Sequence, residues 1–207
     1  MEGILNYKLF LLSSLMIVAI PGQDFLYVMS RGMALGKKAG VISAIGISIG
    51  LMVHTLLAAF GLSILVQTSA VAYTVIQYCG AAYLVYLGIK TLRSKGELNG
   101  ATPTKVNSKN IFIQGILTNV FNPKAILVFI AFLPQFVDVH LSNPVSQLLF
   151  LGVTLSVVAV AWFSLVGYFS GFIGTVIKKN KSIQIVIRIL SGSVLIGLGI
   201  RLAMQKK

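Results

Sequence analysis

Ala19-Ile20-Pro21-Gly22-Gln23-Asp24 interrupts the first apolar segment of the chain. It puts a helix breaker, a flexible residue, an amide and a carboxylate where a membrane helix should be uniformly apolar. Proline removes a backbone donor and clashes with the preceding turn, and glycine adds freedom at the same place. Asp24 is one of four acidic residues in 207, and burying a carboxylate in hydrocarbon is costly. A chain that carries such a defect at bilayer depth is expected to use it.

Outside this stretch the chain is apolar: 57% of residues are hydrophobic and 10% charged, with a mean hydropathy of +0.92. A soluble domain carries about 25% charged residues. Six apolar segments run at about 4–29, 40–67, 70–92, 111–137, 145–175 and 183–204, each near or above the roughly 20 residues that span a bilayer. The first and fourth contain proline, and Gln67-Thr68-Ser69 alone separates the second from the third, as in a tight hairpin. Glu2 and Lys8 make a weak leader, and no small-residue cleavage site follows, so the first segment reads as a retained span.

The net charge of +13 lies between the segments, which argues against nucleic acid as a partner. Arg31, Lys37 and Lys38 follow segment one. Lys90, Arg93, Lys95, Lys105 and Lys109 flank the next basic loop, and Lys178, Lys179, Lys181 and Arg188 surround the third. The positive-inside rule places these loops in the cytoplasm and, for six full spans, both termini outside. The basic tail, Arg201, Lys206 and Lys207, runs against an outside C-terminus. Residues 93–110 are polar and rich in Gly, Ser and Asn, the composition of a cytoplasmic linker between halves 1–92 and 111–207.

The halves resemble one another. Pro21 matches Pro123 at an offset of 102, which also carries segment two onto segment five. The fold expected is all-α: one polytopic transmembrane helical bundle over 1–207, with about six segments in a 3+3 inverted repeat and broken first and fourth helices. Such repeats mark transporters whose site lies where the breaks meet.

The second break is Asn119-Val120-Phe121-Asn122-Pro123-Lys124. Meeting breaks would bring Asp24 towards Lys124, and broken helices offer a positive end to a carboxylate and free carbonyls to a cation. Pro21, Gly22, Gln23, Asp24, Asn119, Asn122, Pro123 and Lys124 are therefore the candidate substrate or ion site, with a donor and acceptor set suited to a zwitterion. Asp24 and Lys124 snorkelling to an interface is the alternative. Gly46, Gly50 and His54 share one helical face. His54 reads either as a titratable group on the path or as a neutral histidine bonded between helices. Gly167, Gly171, Gly174, Ser191, Gly192, Gly197 and Gly199 read as packing surfaces. Trp162 lies beside the first of these, and Leu133-Pro134-Gln135-Phe136 as the exit of segment four.

Cys79 is the only cysteine and reads as a small packed hydrophobe. With two His and four acids the chain lacks ligands for a metal site. No nucleotide-binding motif is present, so no cofactor is expected and transport must be passive or gradient-driven.

Pro21-Gly22-Gln23-Asp24, Ser30-Arg31-Gly32 and Gly36-Lys37-Lys38-Ala39-Gly40 resemble a motif of the lysine exporter superfamily, most closely its homoserine/threonine-resistance (LysE/RhtB) branch. Gly115, Asn119, Asn122-Pro123-Lys124-Ala125 and Leu133-Pro134-Gln135-Phe136 resemble its second motif. Gln23 stands where the family commonly has a second proline. The resemblance covers the whole chain. It implies a multi-pass exporter of amino acids in the bacterial inner membrane, driven by the proton-motive force. Substrates of the homoserine/threonine, leucine and lysine types stay open. The partners are then an amino acid and the lipid bilayer, with a homodimer as a possible assembly. An intramembrane enzyme, a channel or a non-transporting scaffold is the alternative. A cysteine placed by Asn99→Cys in a Cys79→Ala background should react with an impermeant maleimide only in inside-out vesicles. Equal labelling of right-side-out vesicles would reverse the orientation.

Overall fold

The computed structural model describes residues 5–62, 70–93, 107–138 and 143–204. The regular elements among them are helices: α1 (Tyr7–Ala19), α2 (Gln23–Leu35), α3 (Lys37–Leu57), α4 (Ala70–Arg93), α5 (Ser108–Val120), α6 (Pro123–Leu127), α7 (Pro144–Tyr168), α8 (Ser170–Lys179) and α9 (Lys181–Met204). A π turn at Ala58–Leu62 extends α3. Another at Val128–Phe132 extends α6, and a 3-10 turn at Leu133–Phe136 closes it.

Both breaks form as the prolines dictate. Ile20, before Pro21, is extended at φ −60°, ψ 119°, because the proline ring disfavours a helical conformation in the residue before it. The chain bends by 56° between α1 and α2. At the second break Asn122 is extended at φ −78°, ψ 111°, and the bend is 52°. Pro123 starts α6, where its missing N–H would be unpaired in any case. The Asn122 side chain caps the new helix by accepting from the Lys124 N–H at 2.9 Å.

Several sequence boundaries move. Segment one ends at Leu35, six residues beyond the expected 29. Arg31 is therefore helical, and Lys37 and Lys38 already belong to α3. One residue, Gly36, makes the connection at φ +87°, ψ 168°, a conformation available essentially to glycine alone. The linker is shorter than 93–110: Arg93 ends α4 and Ser108–Asn110 begin α5, with Asn107 accepting from the Lys109 N–H. Segment five divides. Its helix stops at Tyr168, and α8 starts at Ser170, whose hydroxyl donates to the Gly167 carbonyl at 2.9 Å. The expected Gln67-Thr68-Ser69 hairpin lies outside the described residues.

Among the described residues three helices are long and apolar enough to cross a bilayer: Lys37–Gly61, Pro144–Tyr168 and Lys181–Met204. Counting each bent pair as one span raises the total to five. The expected six exceeds five by segment three, which is α4 (Ala70–Arg93). The remaining long element, α4, also has 24 residues but interleaves Tyr73, Gln77, Tyr78, Tyr83 and Tyr86 among its apolar residues.

Packing centres on α3, which lies against α5, α7 and α2, while α4 pairs with α9. Small residues set the closest crossings. A Cβ built on Gly40 would stand 2.6 Å from the Gly167 carbonyl oxygen, so α3 and α7 meet backbone to backbone, as small-residue motifs allow in membranes. Gly88 of α4 meets the Gly192 carbonyl of α9 at 2.7 Å on the same measure. Phe10, Phe132 and Phe136 join α1 to the end of the α6 segment, with ring centroids 5.0–5.8 Å apart. The Leu133–Phe136 turn, which ends segment four as expected, is buried in the core. Cys79 is exposed, contrary to its reading as a packed residue, because α4 turns Gly80, Ala81, Leu84 and Gly88 inward instead.

The halves share an order of elements. Each opens with a 13-residue helix, breaks at a proline and later supplies a 24-residue helix; α8 has no counterpart among the described residues of the first half. The backbone at Gly36 gives a clean test. A Cβ there meets nothing within 4 Å, so Gly36→Ala should lower stability by about 1–3 kcal/mol through strain alone, read as a lower melting temperature in detergent.

Candidate functional site

The two breaks meet. In an uninterrupted helix the Ile17 carbonyl would accept from the N–H of residue 21, which proline lacks. The Lys124 ammonium, from the second break, takes that place: Nζ donates to the Ile17 carbonyl at 2.8 Å and to the Ile20 carbonyl at 3.0 Å. A cation suits the negative C-terminal end of α1.

The second break repeats the arrangement. Pro123 withholds the N–H that would have met the Asn119 carbonyl. That oxygen accepts instead from the Asn122 N–H at 2.9 Å and from His54 Nε2 at 3.2 Å. A carbonyl can only accept, so His54 carries its proton on Nε2. The ring is buried at 5% exposure and lies 5.5 Å from the Phe129 ring.

Asp24 stands between the breaks. As an acid in the first turn of α2 it complements the positive end of that helix. Its Oδ2 accepts from Asn119 Nδ2 at 2.9 Å. Its Oδ1 and the Asn119 Oδ1 are buried without a hydrogen-bond partner. Asn119 is fully buried and reaches Asp24 because Gly50 makes room: a Cβ on Gly50 would lie 2.7 Å from Asn119 Cβ. The face carrying Gly46, Gly50 and His54 is thus a seat for α5, and Gly46 meets the Phe112 carbonyl on it.

A small cavity opens beside Asp24, with room for about 30 Å³, roughly one water molecule. Its polar edge is Gly22, Gln23, Asp24, Asn122 and Lys124; Val18, Phe25, Leu51, Val128, Leu155 and Phe163 are among its apolar lining. The α2 N-terminus has no side-chain cap, so its first turn borders the cavity with N–H groups that no intrahelical carbonyl satisfies.

Of the nine residues singled out in the sequence, Gly22, Gln23, Asp24, Asn122 and Lys124 line the cavity. Pro21 and Pro123 act through the backbone, while Asn119 and His54 support the site from behind. Gln23 is otherwise exposed, at the rim. Lys124 binds carbonyls, not the carboxylate of Asp24, and His54 bonds to Asn119, not to Asp24. Trp162 packs on the core with Nε1 unpartnered, outside the cavity wall. Among the described residues no group of three or more His, Cys, Asp or Glu gathers to hold a metal.

Sequence reasoning missed the apolar wall, because a cavity-lining leucine looks like any other in an apolar run. It also missed a polar clasp between the halves. Tyr27 donates to the Ile111 carbonyl at 2.7 Å, and Arg31 to Gln114 at 2.9 Å. The guanidinium of Arg31 lies 5.3 Å from the Tyr27 ring centroid.

Comparison with known proteins places the chain in a family. The family model described as LysE type translocator matches residues 15–206. The uncharacterized membrane protein YrhP of Bacillus subtilis is 36% identical over 196 residues, 90% of this chain and 92% of its own. The leucine efflux protein of Salmonella typhimurium is 34% identical over 205 residues, 97% of this chain and 96% of its own. That of an Enterobacter species is 31% identical over 207 residues, at the same coverages. No solved structure matches.

The histidine brace is testable by stability. His54→Phe keeps an aromatic ring and removes the donor, and should cost about 0.5–1.5 kcal/mol, because the Asn119 carbonyl keeps the Asn122 N–H. His54→Gln, which can still donate, should cost less. Equal melting temperatures for the two variants would deny the hydrogen bond a role.

Proposed function

Because the chain belongs to the LysE type translocator family, we propose that it exports amino acids of the aliphatic, leucine type across the bacterial inner membrane, driven by the proton-motive force. The observation that carries the reading is the buried Oδ1 of Asp24, a carboxylate oxygen without a partner at the edge of a cavity between two broken helices. An α-ammonium group supplies the missing donor. The α-carboxylate then faces the uncapped N-terminal turn of α2, a favourable place for an anion. Gln23 and Asn122 contact the substrate from the polar edge, and Lys124 anchors the break.

The wall supports the choice of side chain. Val18, Phe25, Leu51, Val128, Leu155 and Phe163 suit an aliphatic group. The ε-ammonium of lysine would need a second anion, and the hydroxyl of threonine or homoserine a polar partner. The names of the leucine efflux relatives point the same way.

Asp24 also gives a coupling mechanism. A proton and an α-ammonium compete for one carboxylate, so each displaces the other. A proton entering from outside releases the amino acid there, and the amino acid arriving from the cytoplasm releases the proton inside. The 30 Å³ cavity is too small for leucine and has to widen to take it. The two bends are the hinges that open it, with the halves rocking as an inverted 3+3 repeat about them.

Counterflow in proteoliposomes tests the proposal over leucine, threonine, homoserine and lysine. Leucine uptake should saturate and respond to a pH gradient. Asp24→Asn should lower leucine transport at least ~30-fold, as expected for losing a buried charge pair. Full coupled transport by that variant would remove Asp24 from the mechanism. Unsaturable flux would make the chain a channel, and no flux of any amino acid would sink the substrate class.

A further inference from the structure

The Ile17 and Ile20 carbonyls converge on one positive nitrogen, 2.8 and 3.0 Å away. Both belong to the end of α1, where Pro21 has removed the next helical donor and the extended Ile20 has ended the helix. Unwound carbonyls at the C-terminal end of an interrupted helix are the ligands that transporters offer to a free alkali cation. Here the positive charge is a side chain of the chain itself, reaching back from the opposite break.

Two further features fit a built-in cation better than an ordinary surface lysine. The ammonium is partly buried and hydrogen-bonds to carbonyls, not to the Asp24 carboxylate, so it is held as a coordinated ion is. Its backbone is held by the Asn122 cap at 2.9 Å, which fixes where the side chain starts.

We propose that the Ile17–Ile20 carbonyl pair is a monovalent-cation site permanently occupied by the Lys124 ammonium. The tethered charge does at this break what a free sodium or potassium ion does at comparable breaks. Removing it uncovers a site that takes a free cation: sodium, potassium or a small alkylammonium. The site stands on the carbonyl geometry; only its transport readout rests on the function proposed above.

The experiment compares the parent, Lys124→Ala and Lys124→Met in choline, sodium, potassium and methylammonium chloride at equal ionic strength. Melting temperature in detergent and leucine counterflow are both measured. The parent should behave alike in all four salts. Lys124→Ala should lose at least ~10-fold of its transport in choline. It should regain most of it, with a rise in melting temperature of several degrees, in methylammonium or an alkali salt. Lys124→Met fills the space with an apolar chain and should not respond. If Lys124→Ala yields folded protein only when prepared in one of the small cations, that supports the site. Lys124→Ala that responds to no cation, folded or not, overturns it, as does a parent that requires sodium. If the parent carries no leucine, the function proposed above fails while the melting temperatures still decide the cation site.

Discussion

A carbonyl deprived of its donor inside hydrocarbon has no water to turn to, and leaving it unpaired costs roughly several kcal/mol. Two prolines create two such carbonyls here, Ile17 and Asn119, four residues before Pro21 and Pro123. Each accepts from a nitrogen of another element, Lys124 Nζ for the first and His54 Nε2, added to the Asn122 N–H, for the second. The two carbonyls keep the 102-residue offset of the prolines. A single requirement, satisfying backbone acceptors at a break, therefore ties the first half of the chain to the second.

The rest of the site follows from those closures. Lys124 reaches α1 only if the second break lies against the first. His54 reaches Asn119 only if α3 can approach α5, which Gly46 and Gly50 permit. Asn119, held by its main chain, then points its amide at Asp24. The carboxylate is left with one satisfied oxygen and one free, beside a cavity with one polar edge and one apolar wall.

The same arrangement suits movement. Bends of 56° and 52° fall at the residues that line the cavity. The Tyr27, Arg31 and Gln114 clasp joins α2 to α5 through a few polar contacts, while glycine crossings bind α3 to α7 and α4 to α9 backbone to backbone. Contacts of the first kind exchange readily with water or substrate; close-packed contacts resist gradual deformation. The broken helices are accordingly the elements best placed to move against a firmer frame.

Read alone, the sequence determined the helical class, the positions of both breaks, the acid at the first and the polar cluster at the second. Proline and a lone carboxylate in an apolar run act locally, and local chemistry is legible in one dimension. The shared face of Gly46, Gly50 and His54 followed in the same way from helical periodicity. The tertiary structure decided what depends on distance between segments. It sent Lys124 to the Ile17 and Ile20 carbonyls, His54 to Asn119, and Leu51, Leu155 and Phe163 to the cavity wall. It also divided the fifth segment at Phe169 and extended the first to Leu35. Apolar residues look alike whether they face lipid, core or cavity. A charged side chain declares that it needs a partner without saying which, and only the packing of the helices supplies the answer.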